Sequence, residues 1–352
     1  MAKNANLRAA NTNKNDEFYT GYDDIKNELI HYTKHLKGKV IYCNCDDHNG
    51  IGLGTPKSNF IKYFADNFQA FGIKKIIATH FERNKKSKKY ILDKENTGAN
   101  IICMEDVTEI PLIGNGDFRS DECKELLKES EIVITNPPFS LFREYVAQLF
   151  EYKKKFIIIG NKNSITYKEI FPLIKRNKMW TGNTPFGKDL LFDLPDWYVE
   201  EVKKNKKEGS GYRLINGVIK ARSQSVWFTN LDHKKRHELL DTGKKYKGYE
   251  EMYLKYDNYN AINVDKVSDI PMDYKKLMGV PITFLDKHNP DQFEIIGIAK
   301  RGAGDPSLRS KVYTKEQYDN YSDLNAGPVL IDKKGNLYNT YPRLLIKKKK
   351  DK

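Results

Sequence analysis

The clearest structural pattern in this chain is the segment Glu131-Ile-Val-Ile-Thr-Asn-Pro-Pro-Phe139. Its first half is a short apolar run with β-branched residues, which predicts a buried strand. The Asn-Pro-Pro triplet ends that strand, because proline lacks an amide donor and fixes φ. An amphipathic pattern over 139–152 follows and predicts a helix. The stretch is therefore predicted to be a strand, a stiff turn and a helix.

The same alternation of strand and helix continues on both sides of this stretch. Predicted strands cover 40–45, 75–81, 100–104, 131–135 and 156–160, and predicted helices cover 58–71, 122–128 and 139–152. Near-continuous apolar strands separated by helices indicate an α/β fold with a doubly wound, mostly parallel sheet that is covered on both faces. The segment 84–94 is predicted to be exposed charged chain, and from about residue 175 the alternation fails.

Polar side chains fall at or just after the ends of four predicted strands. They are Asp46, Glu82, Asp106 and Asn136. In open α/β sheets, ligands bind outside the carboxyl ends of the strands. These four side chains are therefore expected to edge one cleft.

The residues Asn136, Pro137, Pro138 and Phe139 suit the activation of an aromatic amine. The exocyclic amine of adenine is a poor nucleophile, because its lone pair is delocalised into the ring. The side-chain oxygen of Asn136 and the carbonyl of Pro137 can accept its two hydrogens, and Phe139 offers a face for stacking a base taken out of its helix. The alternative interpretation is a plain strand-terminating turn.

The composition restricts the classes of partner. Lys and Arg total 61 and Asp and Glu total 47, so the formal charge is +14, which indicates nucleic acid first and an anionic membrane surface second. A lysine-rich surface without a partner is the alternative. Residues 347–352 are predicted to be a disordered basic end. No apolar run suits a membrane span and no signal peptide is visible, so a cytoplasmic protein is expected. The four cysteines lack C-x-x-C spacing, and no metal site is predicted.

Three further segments stand in a fixed order around the Asn-Pro-Pro-Phe motif. They are Asp16-Glu-Phe-Tyr-Thr20, Val40-Ile-Tyr-Cys-Asn-Cys-Asp-Asp47 and Gly116-Asp-Phe-Arg-Ser120. With Thr135-Asn-Pro-Pro-Phe-Ser-Leu-Phe142, this order resembles the S-adenosylmethionine-dependent N6-adenine DNA methyltransferases, and within them the EcoRI modification methylase branch. The segments 163–169, 255–259 and 278–284 add to the resemblance, which covers most of 14–180 and 225–298.

The resemblance implies a fold, an activity and partners. Residues 1–178 would form a Rossmann-like catalytic domain that binds S-adenosyl-L-methionine. Residues 179–352 would form a mixed α+β target-recognition lobe with a basic C-terminal tail. The implied partner is double-stranded DNA, with no membrane and no obligate protein partner, so a monomer would suffice. The implied activity is site-specific methylation of adenine N6, as the modification arm of a restriction–modification system or as an orphan methylase.

The resemblance also assigns roles to single residues. The implied cofactor-binding residues are Phe18, Tyr19, Thr20, Asn44, Asp46, Glu82, Asp117 and Phe118. The first three would wall the pocket, and the two at the end of the first strand would meet the methionine portion. Asp117 would accept from the cofactor's adenine amine, with Phe118 against the ring, and Glu82 would bind the ribose, a match made by strand position alone. Asn136 to Phe139 would hold the flipped target adenine.

Two segments depart from the resemblance, and three alternatives stay open. The glycines of 48–57 would form a cofactor loop or a surface insertion, and the unmatched 183–222 puts an inherited GAATTC specificity in question. The alternatives are a protein glutamine methyltransferase, an inactive DNA-binding protein and a fusion with a nuclease. The first usually carries Tyr where this chain has Phe139. The last rests on the nuclease-like spacing of Glu122 and Lys124.

Overall fold

The computed structural model describes residues 19–46, 58–97, 104–194, 196–317 and 323–349. The chain divides into two compact units. The first consists of Met1–Lys162 and Thr181–Asp232, and the second of Asn163–Trp180 and His233–Lys352. The predicted functional boundary between 178 and 179 stays a prediction.

The helices and strands of the described residues are numbered here in chain order. The helices are α1 (Tyr22–Leu29), α2 (Thr33–Leu36), α3 (Asn59–Asn67), α4 (Lys94–Thr97), α5 (Asp121–Glu129), α6 (Phe142–Glu151), α7 (Phe171–Lys175) and α8 (Asp196–Asn205). The strands are β1 (Tyr19–Thr20), β2 (Val40–Cys43), β3 (Lys75–Thr79), β4 (Lys88–Asp93), β5 (Thr108–Pro111), β6 (Ile132–Thr135), β7 (Lys155–Asn161), β8 (Trp180–Thr181), β9 (Leu190–Asp193), β10 (Tyr212–Ile215), β11 (Val218–Ser223), β12 (Ser225–Thr229), β13 (Ile262–Asn263), β14 (Met278–Pro281), β15 (Phe293–Ala299), β16 (Val329–Ile331), β17 (Leu337–Asn339) and β18 (Arg343–Lys348).

The first unit is built on a large sheet with the strand order β5-β4-β3-β2-β6-β7-β12 and the short strand β8 at the β12 edge. The four central strands β3, β2, β6 and β7 run parallel, as the buried apolar runs predicted. Strands β4, β5 and β12 are antiparallel to their neighbours. The α/β prediction is therefore confirmed, but the sheet is mixed rather than mostly parallel.

Both faces of this sheet are covered. Ile41 and Cys43 belong to a core cluster that includes Phe60 and Phe64 of α3. Tyr42, between them, points the opposite way, because successive strand side chains alternate between faces. Tyr42 is completely buried, and its hydroxyl lies 2.8 Å from the Thr79 hydroxyl. A strand that is buried on both faces explains why 40–43 reads as an uninterrupted apolar run.

A second sheet in the first unit has the order β1-β9-β11-β10. The N-terminal strand β1 pairs antiparallel with β9, and the hairpin β10–β11 turns at Asn216 and Gly217, which both have positive φ. Asn59 at the start of α3 fastens this sheet, because its side-chain amide donates to the Thr20 carbonyl at 2.7 Å and to Asp193 at 3.0 Å. Sequence patterns did not predict this sheet.

The second unit contains a four-stranded sheet with the order β13-β14-β18-β15 and the separate hairpin β16–β17. The predicted strand near 293–297 corresponds to β15. The strand predicted over 279–285 corresponds to β14 only as far as Pro281, because Ile282–Lys287 forms a 3₁₀ helix. Strand β18 pairs antiparallel with both β14 and β15, and Leu344, Leu345 and Ile346 on it are fully buried.

Two predictions about charged segments are wrong. Part of 84–94 is the strand β4, because Tyr90 and Leu92 alternate toward the core, while Lys88 and Lys89 before them stay accessible. The end of the chain is not disordered as far as Lys349, because the buried core of β18 extends its pairing to Lys347 and Lys348. The predicted strand 100–104 lies largely outside the described residues, and Met104–Asp106 is a single 3₁₀ turn.

Candidate active site

The candidate site lies where the order of the central strands reverses. The chain runs from β2 to β3 on one side of β2 and later returns to β6 on the other side. At such a switch point the connections leave in opposite directions, which opens a crevice at the carboxyl ends of the strands. Asn44 and Asp46 follow β2, and Asn136 follows β6. The strand ends that precede Asp46 and Asn136 are therefore neighbours, while the predicted common cleft of the four side chains stays a prediction.

Asp46 joins three elements at this crevice. Its carboxylate accepts a 2.6 Å hydrogen bond from the Thr135 hydroxyl and a 2.8 Å hydrogen bond from the Ser58 hydroxyl. Thr135 is the last residue of β6, and Ser58 caps the N-terminus of α3 by accepting from the Phe60 amide at 3.2 Å. The Asp46 amide donates to the Thr79 carbonyl of β3 at 2.8 Å. The first strand end and the residue before Asn136 are thus held together by direct hydrogen bonds.

Asn44 is buried, and its side-chain oxygen accepts from the Tyr145 hydroxyl of α6. Burial is the main cause that raises the pKa of Tyr145 well above its usual range, so this phenol remains a donor at neutral pH. The Asn44 side chain is therefore oriented by α6. Its predicted contact with the methionine portion of the cofactor stays a prediction.

The Asn136-Pro-Pro-Phe motif forms a tight turn between β6 and α6. The side-chain oxygen of Asn136 is shielded from solvent, and Pro137 is buried. The carbonyl of Pro138 accepts from the Leu141 amide at 3.1 Å and starts the 3₁₀ turn Phe139–Leu141. Phe139 is half-buried and packs against the core cluster, which leaves part of its ring accessible. The motif therefore combines a sheltered amide oxygen with an accessible aromatic ring.

Asp117 is hydrogen-bonded to Arg119, two residues further on. The guanidinium donates from Nη2 to Oδ2 at 2.7 Å and from Nε to Oδ1 at 2.9 Å, and the Arg119 amide also donates to Oδ1 at 2.9 Å. The hydrogen bonds from Arg119 hold the pKa of Asp117 below its usual range. Phe118 is buried, and its ring packs edge-on against Tyr145 with centroids 5.1 Å apart. Arg119 thus orients a carboxylate that is ionised at neutral pH.

Glu82 lies on the loop after β3 and is tied to the loop that carries Asp117. The Glu82 amide donates to the Asn115 carbonyl at 2.8 Å. The next residue, Gly116, has φ +76, and a Cβ there would overlap the His80 carbonyl oxygen. Only glycine fits both the backbone conformation and the close approach. The loops 80–82 and 115–117 therefore meet at one end of the sheet.

Several predicted residues have a less complete placement. Thr20 is buried in β1, and Tyr19 pairs with Asp193. Phe18 and the glycine-rich stretch 48–57 lie outside the described residues. Asp106 ends the 3₁₀ turn Met104–Asp106, and its place at the cleft stays a prediction.

Five residues of the site were missed by sequence reasoning. They are Ser58, His80, Thr135, Arg119 and Tyr145. Only Arg119 carried a local signal, because an arginine two residues after an aspartate can fold back onto it. The others act through contacts between distant segments, as with Tyr145 and Asn44, which are 101 positions apart.

The nuclease alternative is not supported by the environment of Glu122. Its carboxylate accepts from the amides of Ile113 and Gly114 at 3.1 Å each, so it ties the preceding loop to α5. Lys124 pairs with Asp121. Within the described ranges, no group of three or more His, Cys, Asp or Glu side chains is arranged to hold a metal ion.

In the part of the chain that the structure describes, no helix is long and apolar enough to cross a membrane.

Comparison with known proteins identifies the family. The profile of the family described as adenine-specific methyltransferase EcoRI matches residues 6–349. The Type II methyltransferase M.EcoRI of Escherichia coli is 48% identical over 315 residues, which are 85% of this chain and 92% of that protein. M.MgeORF184P of Mycoplasma genitalium is 36% identical over 340 residues, 95% of this chain and 96% of that protein. M.MpnI of Mycoplasma pneumoniae is 37% identical over 310 residues, 87% and 89%.

No solved structure matches the chain significantly. The resemblance inferred from the motifs is confirmed by the family match and by these relatives. The family match also decides against a protein glutamine methyltransferase and a mere DNA-binding protein. This chain belongs to the EcoRI family of adenine-specific DNA methyltransferases.

Proposed function

We propose that this enzyme transfers a methyl group from S-adenosyl-L-methionine to N6 of an adenine that is flipped out of double-stranded DNA. The observation that supports this most is the hydrogen bond between Thr135 and Asp46, because it joins the two strand ends that the motifs assign to base and cofactor. The Type II names of the relatives support a role as the modification arm of a restriction–modification system. A DNA substrate would place the enzyme in the cytoplasm.

The residues at the strand ends fit this cofactor. S-adenosylmethionine carries a methyl group on a sulfonium, which makes that methyl electrophilic. Its ribose hydroxyls and adenine amine are donors, and Glu82 and Asp117 are acceptors whose side chains are 24% and 22% exposed. A carboxylate has about four acceptor positions, and Arg119 occupies three on Asp117, so one stays available for an amine. Asn44, Asp46 and the pocket wall Phe18, Tyr19 and Thr20 complete the proposed site.

The proposed work of the Asn136-Pro-Pro-Phe motif is to hold and activate the target amine. The Asn136 oxygen is shielded from solvent, so a hydrogen bond from the adenine amine to it would be stronger than in water. The Pro137 carbonyl would take the second amine hydrogen. Phe139 would stack on the extruded base and offset part of the cost of extrusion, which is on the order of a few kcal/mol. No general base of perturbed pKa is required, because the proton can leave after transfer.

We further propose that DNA is contacted by residues of 179–352, without an obligate protein partner. The hairpin β10–β11 presents the exposed apolar residues Leu214, Ile215 and Val218 at its tip. Exposed lysines 203, 204, 206 and 207 precede it. An apolar tip beside positive charge suits a groove that is lined by phosphates. GAATTC, the site implied by the resemblance, is the first recognition sequence to test.

The test compares Asn136→Ala with Asn27→Ala, which changes an exposed asparagine of α1 outside the proposed DNA contact. Methyl transfer to duplex DNA is measured with labelled S-adenosylmethionine, and DNA binding is measured by gel shift. Loss of one preorganised polar group at a reacting centre costs about 10²–10³-fold in turnover. We expect that loss for Asn136→Ala, with DNA binding retained, and no change for Asn27→Ala. Near wild-type turnover of Asn136→Ala would refute the proposed mechanism.

A further inference from the structure

We propose that His80 is a positioning residue for the cofactor's ribose, because its imidazole holds the carboxylate of Glu82 in one orientation. The proposal deepens the proposed function and rests on the ribose-binding role assigned there to Glu82. His80 itself would not touch the cofactor.

The geometry places His80 behind Glu82. Its Nε2 lies 3.2 Å from Glu82 Oε1, and the side-chain exposures of the two residues are 10% and 24%. The more accessible partner is therefore the carboxylate, and the more buried one is the imidazole. A histidine that supports an accessible carboxylate from the buried side is the arrangement by which a neighbouring group fixes a ligand.

Three further contacts fix the ring and the backbone of His80. Its ring stacks on Tyr90 of β4, with centroids 5.9 Å apart and an interplanar angle of 21°. Its carbonyl accepts from the Ser87 hydroxyl at 2.6 Å and is covered by the close approach of Gly116. An imidazole held in this way has little freedom to turn away from Glu82.

The buried nitrogen on the other side of the ring identifies the tautomer. Nδ1 of His80 is buried, and it has no hydrogen-bond partner in the described part of the chain. A proton on Nδ1 would be an N–H donor without an acceptor, and burying such a donor is unfavourable. The tautomer with its proton on Nε2 avoids this cost and points that donor at Glu82.

The two carboxylate oxygens of Glu82 would therefore have different partners. Oε1 accepts from His80, while Oε2 remains for a ribose hydroxyl. The backbone of Glu82 is fixed as well, because its amide donates to the Asn115 carbonyl at 2.8 Å. With both the backbone and one oxygen fixed, less side-chain entropy is lost when the ribose binds.

The test measures how well each variant distinguishes a ribose hydroxyl. Dissociation constants are measured by calorimetry for S-adenosyl-L-homocysteine and for its 2′-deoxy and 3′-deoxy analogues. His80→Phe keeps a ring against Tyr90 but removes the donor, His80→Gln keeps a donor of similar reach, and Glu82→Gln removes the carboxylate. His35→Phe is the matched control, because it removes a histidine that lies 2.9 Å from a backbone carbonyl elsewhere in the same unit.

We expect wild type and His35→Phe to bind S-adenosyl-L-homocysteine about tenfold tighter than one of the two deoxy analogues. That ratio corresponds to the free energy of one hydrogen bond to a charged group. His80→Phe should lose most of that preference while it binds the deoxy analogue as wild type does, and His80→Gln should restore it. Equal weakening of all ligands by His80→Phe, or an unchanged preference, would overturn the proposal. His80→Asn, whose amide is too short to reach Glu82, gives the same comparison if His80→Phe does not fold.

The Glu82→Gln variant distinguishes the ribose-binding role of Glu82 from the positioning role of His80. If Glu82→Gln keeps the full preference, the ribose-binding role of Glu82 fails, and the proposal for His80 fails with it. If Glu82→Gln loses the preference while His80→Phe keeps it, only the positioning role of His80 fails.

Discussion

Replacing Thr135 by valine tests the contact that joins the two halves of the site. Thr135 is completely buried, and its hydroxyl donates to the carboxylate of Asp46 at 2.6 Å. Valine keeps the β-branched shape and removes only the donor. A hydrogen bond to a charged group contributes about 1.5–3 kcal/mol, and Asp46 would keep the bond from Ser58 at 2.8 Å. We therefore expect Thr135→Val to lower the free energy of unfolding by about 1.5–3 kcal/mol.

Urea unfolding and thermal melting measure this loss. For a unit of roughly 200 residues, each kcal/mol shifts Tm by about 2–4 °C, so the expected shift is about 3–12 °C. Thr135→Ser is the control, because it keeps the hydroxyl. The rate of methyl transfer should fall by more than the loss of folded protein can explain, because Asn136 follows Thr135 directly. A Thr135→Val variant as stable and active as wild type would exclude a stabilising role for this hydrogen bond, and so would a Thr135→Ser variant that loses as much stability as Thr135→Val.

Three further predictions follow from single features of the first unit. Gly116→Ala should weaken S-adenosyl-L-homocysteine binding and lower Tm far more than Gly38→Ala, because both glycines have positive φ but a Cβ meets neighbouring atoms only at position 116; equal effects in calorimetry and melting would contradict this. Because Arg119 lowers the pKa of Asp117, their pairing stabilises the fold above the unfolded pKa of about 4 and is lost as the pH falls through the folded value. The stability deficit of Arg119→Gln in urea should therefore close below about pH 4, and a deficit that persists at pH 2 would count against the pair. Leu214→Ser at the exposed hairpin tip should weaken duplex DNA binding with Tm unchanged within about 1–2 °C, and unaltered affinity in gel shifts would exclude the tip from the DNA contact.

The parallel centre of the main sheet could be predicted because burial on both faces leaves an unmistakable apolar run, as in 40–43 and 132–135. The antiparallel strands at its edge could not. The face of β4 opposite Tyr90 and Leu92 carries Lys89, Ile91 and Asp93, so only Tyr90 and Leu92 mark the buried face. A short apolar triplet between charged residues looks like exposed chain until a partner strand is known.

The second sheet of the first unit was unpredictable for a different reason. The described part of strand β1 is two residues long, and it pairs with Asp193 and Phe192, more than 170 positions away. No local pattern encodes such a pairing. Specific contacts hold it instead, including the bridge from Asn59 to Thr20 and Asp193.

The candidate site shows the same division. Strand ends are local features, so Asp46, Glu82 and Asn136 could be predicted from where apolar runs stop. Their hydrogen-bond partners depend on which strands become neighbours. Tyr145 reaches Asn44 only because β6 and α6 return beside β2. Sequence reasoning therefore found the residues assigned to the chemistry and missed those that orient them.

Asn136 and its turn are proposed to present an adenine amine of DNA for methylation. To test this role, the protein is incubated with unmethylated plasmid and labelled S-adenosylmethionine, and the modified bases are mapped by sequencing. We expect label in N6-methyladenine at one short recognition sequence, and none with Asn136→Ala. Absence of label from the DNA, label at cytosine, or an unchanged pattern with Asn136→Ala would contradict it.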